Sequence, residues 1–281
     1  MAVSSGTCPA EVYRAADSDM LSADMRYAEP GDEPEEGLLL RSWQTVVTEE
    51  RQRRYHDAAE IPPAIFGDTA DLSILANDTI RAMRYLKRTP MDGLHAGQRM
   101  EQLAPVRLGE PLTLHGRVTR LRESAKGRFA STAFIVEDAG GTPKARGELH
   151  YFRVNAGARV EPAGTGARFD RDGWTRVSRK TLTPQRVADY SSEFPDYRVH
   201  FDPEVAATVG LRAPVAQGLM SFSWMIQAIA EGGLPERFAL SATFRRPIFW
   251  DEEVEVLRRG AELVVVGADG CLRSTGAFEA G

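Results

Sequence analysis

The chain has 281 residues, enough for one large domain or two domains of about 120–150 residues each. Its 42% hydrophobic and 27% charged residues and net charge of −5 exclude a disordered chain and give no basic footprint for nucleic acid. Cys8 and Cys271 stand near opposite ends and make no disulfide framework, no Cys/His cluster has metal-ligand spacing, and no apolar run approaches the roughly 18 residues of a membrane span.

The first 30 residues are polar and acidic, without the basic and apolar regions of a secretory signal. Residues 1–37 are therefore expected to form a loosely packed N-terminal arm, in a protein whose default compartment is the cytoplasm. A unit then begins that occurs twice. Thr45-Val-Val-Thr48-Glu-Glu-Arg-Gln-Arg-Arg-Tyr55 lines up with Lys180-Thr-Leu-Thr183-Pro-Gln-Arg-Val-Ala-Asp-Tyr190. In both, a threonine (Thr48, Thr183) suits an N-cap, and the following Glu49 or Pro184 suits a first helical turn. An apolar helix is expected over 72–86, after Pro62-Pro63-Ala-Ile-Phe-Gly67, with a length reaching about Arg88. Its counterpart runs from Gly218 to Ala230, with Leu219, Phe222, Met225, Ile226 and Ile229 at helical spacing.

Strands are expected over 99–103, 112–122, 130–137 and 145–154, and again over 239–245, 252–258, 261–267 and 271–278. Pro105-Val-Arg-Leu-Gly-Glu-Pro-Leu-Thr-Leu114 matches Pro247-Ile-Phe-Trp-Asp-Glu-Glu-Val-Glu-Val256, each a proline, a turn and then a strand. The Gly-, Ala- and Arg-rich stretch 155–173 is the natural linker. The resulting division is an arm (1–37), a first repeat (38–154), the linker and a second repeat (174–281), each repeat a central apolar helix wrapped by a long antiparallel sheet.

The chemistry concentrates in the second repeat. Asp196 and His200 sit four residues apart in a turn-rich loop, and Gly218 then opens the apolar helix. A carboxylate and an imidazole can move protons, while the free N–H groups and positive dipole end of a helix can hold a developing oxyanion. Glycine at the helix start permits close backbone approach. In the first repeat Tyr55 and Gly67 are separated by 11 residues, against 27 between Tyr190 and Gly218, so the acid–imidazole loop is missing there. His56–Asp57 and His95 do not reproduce it, and the first repeat is expected to be a silent lid that roofs a substrate tunnel. Asp202, before Pro203-Glu204, suits the N-cap of a short helix.

These residues resemble those of the MaoC-like, or (R)-specific enoyl-thioester hydratase, superfamily in its double hot-dog form. That family's Gly-Asp-x-Asn-Pro-[Ile/Leu]-His-x-Asp and Ala-x-Gly-[Leu/Met] motifs are met by Asp196-Tyr-Arg-Val-His200-Phe-Asp202 and Ala216-Gln-Gly218-Leu-Met. Phe244-Arg-Arg-Pro247-Ile-Phe resembles the family's basic-Pro turn into a strand, and His95-Ala-Gly97-Gln resembles the first repeat of two-repeat members. The pattern departs in one place: the acid precedes the histidine by four residues, not five, and Tyr197-Arg198 replaces Asn-Pro. Glu193 is the alternative acid on the same loop.

The resemblance implies an α+β double hot-dog fold and a hydro-lyase that adds water to a 2-enoyl thioester or removes it from a 3-hydroxyacyl thioester. It implies Asp196, His200 and the Gly218 turn as catalytic, and Tyr190, Arg198, Ala216, Gln217, Arg245 and Arg246 as substrate-binding residues. Arg245 and Arg246 would face the phosphates of CoA or phosphopantetheine; Arg198 pairs either with Asp202 or with a substrate carboxylate. No metal or redox cofactor is implied, since CoA or the phosphopantetheine of an acyl carrier protein is part of the substrate. No nucleic acid or membrane is expected as a partner, and pairing of exposed sheet edges makes a homodimer compatible with the fold. Alternatives within the same fold are a thioesterase, an isomerase or cyclase of polyketide-like intermediates, and a non-catalytic thioester-binding partner subunit.

Overall fold

The computed structural model describes residues 26–86, 93–155 and 167–281. Ten strands form one antiparallel sheet: β1 (Leu39–Val46), β2 (Leu94–Gln102), β3 (Pro111–Ser124), β4 (Gly127–Asp138) and β5 (Pro143–Val154), then β6 (Thr175–Thr181), β7 (Phe238–Phe244), β8 (Glu253–Arg259), β9 (Glu262–Gly267) and β10 (Leu272–Ala280). Their order is β1-β3-β4-β5-β2-β7-β10-β9-β8-β6, so each half repeats one order and the halves meet where β2 pairs with β7. That seam runs from Gly97 opposite Thr243 to Gln102 opposite Phe238.

The described residues form five α-helices, α1 (Glu49–Ala59), α2 (Leu72–Ala82), α3 (Pro184–Tyr190), α4 (Pro203–Thr208) and α5 (Gly218–Ala230), of which α2 and α5 pack on the strands. The two central helices, α2 and α5, are the apolar ones. Every residue of α5 from Leu219 to Ala230 is buried, and α2 is buried from Leu72 to Thr79. The two meet at the centre, with Ser223 Oγ 2.9 Å from Ser73 Oγ; α5 is apolar on nearly all sides, which requires enclosure, while the buried Asn77 and Asp78 of α2 make side-chain hydrogen bonds. The helix expected over 72–86 ends as α at Ala82 and tightens to a 3₁₀ turn over Met83–Tyr85; its expected extension to Arg88 lies outside the described residues.

Both predicted threonine caps form. Thr48 accepts from the Arg51 amide (3.1 Å) and Thr183 from the Arg186 amide (3.3 Å). The helices they start, α1 and α3, face each other across the two repeats, with Tyr55 and Tyr190 edge to face at 4.9 Å. Trp224 of α5 donates its indole N–H to Ala59 O (2.8 Å), and Lys180 on edge strand β6 points inward to Glu60 O and Gln227 Oε1, both 2.7 Å away. The repeats are thus joined through strands, central helices and outer helices together.

Two expectations are corrected. Residues 26–37 are not a loose arm: Ala28 is fully buried and exchanges backbone hydrogen bonds with β1, donating to Leu39 O (2.7 Å), while the Leu39 amide donates to Arg26 O (3.1 Å). The end of the expected linker is also packed, because Phe169 and Trp174 cover Leu257, Val264 and Val266 on the outer face of the second repeat. Strands β1 and β6 were not anticipated; both are sheet edges paired on one side, and their mixed polar patterns lack clean alternation.

Candidate active site

The approach to each central helix is built alike. In the first repeat the Ala70 amide donates to Val106 O, Leu108 to Asp68 O, and Thr69 bridges Arg107. In the second, Ala216 donates to Ile248 O, Trp250 to Pro214 O, and Val215 bridges Phe249. This match sets Ala70 against Ala216, Asp71 against Gln217 and Leu72 against Gly218. Leu72, not Gly67, is therefore the counterpart of Gly218; Gly67 lies earlier, in a turn with left-handed backbone (φ 56°). The loop from the tyrosine to the helix is 16 residues in the first repeat and 27 in the second, so the second still carries an insertion.

The equivalent helix starts then diverge. Asp71 caps α2, accepting from the Ser73 amide at 2.8 Å, and its second oxygen lies 3.1 Å from His56 Nε2 in a fully buried pair. The first repeat closes its own helix terminus with a carboxylate. At α5 the capping position is Gln217, whose side chain caps nothing. Gln217 is only 7% exposed, yet neither its amide oxygen nor its nitrogen has a hydrogen-bond partner. The amides of Gly218 and Leu219 likewise have no acceptor among the described residues. Buried orphan groups at an uncapped helix start are costly unless something else fills them.

Gly218 has a steric reason to be glycine. A Cβ there would stand 2.7 Å from the Phe244 ring, which must slide if any side chain is added. That ring also meets His95 of the first repeat, edge to face at 4.9 Å. Burial presses the His95 imidazole down to a pKa of about 4, despite hydrogen bonds to the Gly97 backbone and Gln98. Sequence reasoning set His95 aside; the β2–β7 seam carries it to this helix start, and no local spacing could have indicated that.

His200 ends a 3₁₀ turn over Arg198–His200 and is half-buried. Its Nδ1 lies 2.7 Å from Val215 O, three residues before the helix start. A carbonyl only accepts, so Nδ1 carries the hydrogen and Nε2 keeps its lone pair. Burial lowers the pKa to about 4, the Val215 bond opposing that shift, so the imidazole is neutral at physiological pH.

The remaining predicted residues have varied places. Asp196 is exposed in the turn before Tyr197 and makes no hydrogen bond to His200. Glu193 is not a free acid: its carboxylate receives hydrogen bonds from Arg51, Arg54, Tyr55 and Arg81. Burial raises its pKa, but the Arg51 hydrogen bonds and the charges of Arg51 and Arg81 outweigh this and hold it below the ordinary value. Tyr190 is buried in the core with its hydroxyl 2.7 Å from Ser223 Oγ and 3.3 Å from Asn77 Nδ2, so it has no open surface to offer a substrate. Arg198 pairs with Asp202, which caps α4 as expected by accepting from the Glu204 and Val205 amides. Ala216 is half-buried beside Ile248; Arg245 is exposed, and the amides of both Arg245 and Arg246 donate to Arg273 O.

Two surface hollows lie elsewhere. One of about 350 Å³ opens between α1 and α3 beside Arg53, Arg54 and Arg186, and one of about 510 Å³ follows β1 and β3 near Thr45 and Leu112. Neither is lined by residues of the α5 start. No group of three or more metal-ligating side chains occurs among the described residues, and no described helix is long and apolar enough to cross a membrane.

No protein-family model matches the chain, and no curated protein matches it by sequence. Solved structures do. HtdX of Mycobacterium tuberculosis superposes over 85% of this chain and 99% of its own with a TM-score of 0.67 at 15% identity. A MaoC-like dehydratase from Phytophthora capsici covers 85% and 95% with a TM-score of 0.68 at 18% identity. The fold is the double hot dog of the MaoC-like proteins. The peroxisomal multifunctional enzyme type 2 of Drosophila melanogaster shares it (TM-score 0.67, 15% identity), but this chain spans only 48% of that one. An acyl-ACP thioesterase from Bacteroides thetaiotaomicron is more distant in shape, with a TM-score of 0.51 at 10% identity.

Proposed function

We propose that this double hot-dog chain adds water to a 2-enoyl thioester, or removes it from a 3-hydroxyacyl thioester, at the start of α5. The observation that supports the reading is the contrast between equivalent helix termini: Asp71 caps the Ser73 amide of α2, whereas the equivalent Leu219 amide of α5 has no acceptor among the described residues, and a neutral imidazole is hydrogen-bonded to Val215, three residues before that helix. In the hydration direction the thioester oxygen accepts from the Gly218 and Leu219 amides. His200 Nε2 takes a proton from water as the water oxygen bonds to C3, and the electron pair of the double bond moves toward the thioester oxygen. The imidazolium then returns that proton to C2, so protons balance without another donor. A group with a pKa near 4 is a weak base but, once protonated, a strong acid toward C2.

Asp196 is assigned the second O–H of the water from its exposed place on the same loop, and Arg245 and Arg246 are assigned the carrier's phosphates. Whether CoA or an acyl carrier protein presents the substrate, these phosphates are the same chemistry.

The likeness to the acyl-ACP thioesterase favours a second reading, hydrolysis to a free acid. Incubation with crotonyl-CoA and longer 2-enoyl-CoAs, followed by mass analysis, separates the two. Gain of one water with the thioester intact is expected. Free acid alone, or no product from any CoA- or carrier-bound thioester, contradicts the proposal.

A further inference from the structure

The loop that carries Asp196 and His200 belongs to the second repeat, but the side chain that ties it down is bound by the first. Glu193 lies three residues before Asp196 and seven before His200. Arg51 grips it in a fork, Nε to Oε1 at 2.8 Å and Nη2 to Oε2 at 2.7 Å. Tyr55 Oη (3.0 Å), Arg81 Nη1 (2.9 Å) and Arg54 add three more donors, all from α1 and α2 of the first repeat. Arg51 is held in turn by Asp78, again as a fork (3.0 and 2.8 Å), with Thr45 bonded to both. Asp78 is fully enclosed, and Arg51 and Glu193 expose only about a tenth of their side chains.

The loop continues from Glu193 through buried Phe194, whose ring packs on Tyr197 (6.0 Å), which in turn lies against His200 (6.5 Å). The far end is fixed by the His200–Val215 hydrogen bond. His200 is thus suspended between an anchor on each repeat, and the relay from Glu193 consists of three aromatic side chains.

We infer that Glu193, gripped by Arg51, Arg54 and Arg81 of the first repeat, is a positioning residue that sets the His200 imidazole against the start of α5. The inference rests on the reading of His200 as the proton-handling group. It gives the first repeat a second task besides completing the sheet: it holds the loop that it lacks itself. Forked arginine–carboxylate pairs fix direction as well as distance, which a single lysine contact would not do.

The test uses the full chain with ¹³C-labelled histidine. Two variants are compared with wild type: Glu193→Gln, and Arg54→Met, whose half-exposed side chain is removable without opening the core. Imidazole signals and steady-state kinetics with a 2-enoyl-CoA are both read. Expected for Glu193→Gln is a shifted or broadened His200 signal, with those of His115 and His150 unchanged. The kcat should fall about 10- to 100-fold, because a misplacement of about 1 Å costs on that order, while KM moves less than about threefold. Arg54→Met should show the same signature at about three- to tenfold.

An unmoved His200 signal and an unmoved kcat in folded Glu193→Gln overturn the inference. If that variant does not fold, the same result in Arg54→Met does so. Should wild type turn over no thioester, the proposed function fails while the His200 signal still decides whether Glu193 positions the loop: a shift upholds it, constancy overturns it.

Discussion

His200 and His95 are held neutral by burial, each with a pKa near 4 instead of 6.5, and one lies on each side of the β2–β7 seam. The sign of the linkage follows. Between about pH 6.5 and 4 the unfolded chain binds protons at these two positions that the native chain does not. Their contribution to stability is therefore complete above about pH 6.5 and declines as pH falls toward 4. Urea midpoints measured across that range should fall with pH, and His95→Gln should lessen the slope; an unchanged slope contradicts the burial argument. The residue types His200, Gly218 and Gln217 were legible in the sequence. Their state was not, because the Val215 carbonyl that fixes the tautomer and the enclosure that lowers the pKa come from packing. Glu193 shows the same limit: a carboxylate on the right loop reads as an acid until its partners, 112 to 142 residues away in sequence, are placed beside it.

At the scale of elements, the helix starts decide the account. The sequence pattern located α5 from Gly218 to Ala230 without error, since its apolar spacing and the glycine at its head are local signals. It misjudged the first-repeat equivalence, because Gly67 resembles Gly218 in type while the backbone pairing selects Leu72. Strands β1 and β6 were missed for a related reason, as edge strands need satisfy only one neighbour and carry weak alternation. Gly218→Ala tests the helix start directly. The added Cβ, 2.7 Å from the Phe244 ring, must displace that ring or the first turn. We expect turnover to fall by about 10²–10³, the effect of losing an oxyanion donor, with a stability loss of about 1–3 kcal/mol from overpacking. Adding Phe244→Leu should recover much of the stability. Full activity in Gly218→Ala would show that close approach at this glycine serves no catalytic purpose.

At the scale of the molecule, one sheet of ten strands carries two copies of a single unit, and the copies differ most at their equivalent central-helix starts. The first caps its helix terminus with Asp71 and has the shorter loop; the second has a helix terminus without a side-chain cap and the longer loop. The repeat itself was legible, because the threonine caps and proline turns recur in the same order. The inter-repeat hydrogen bonds were not: Trp224 to Ala59 and Arg51 to Glu193 join positions that the repeat does not relate, and the alignment of Tyr55 with Tyr190 gave no sign that the two rings touch.

The most direct measurement is the rate of water addition to crotonyl-CoA by wild type and by His200→Gln, with the fold of both checked by circular dichroism. Turnover is expected in wild type, with a loss of about 10²–10⁴ in the folded variant, the range for a general acid–base group. Equal rates in the two proteins would contradict the role assigned to His200.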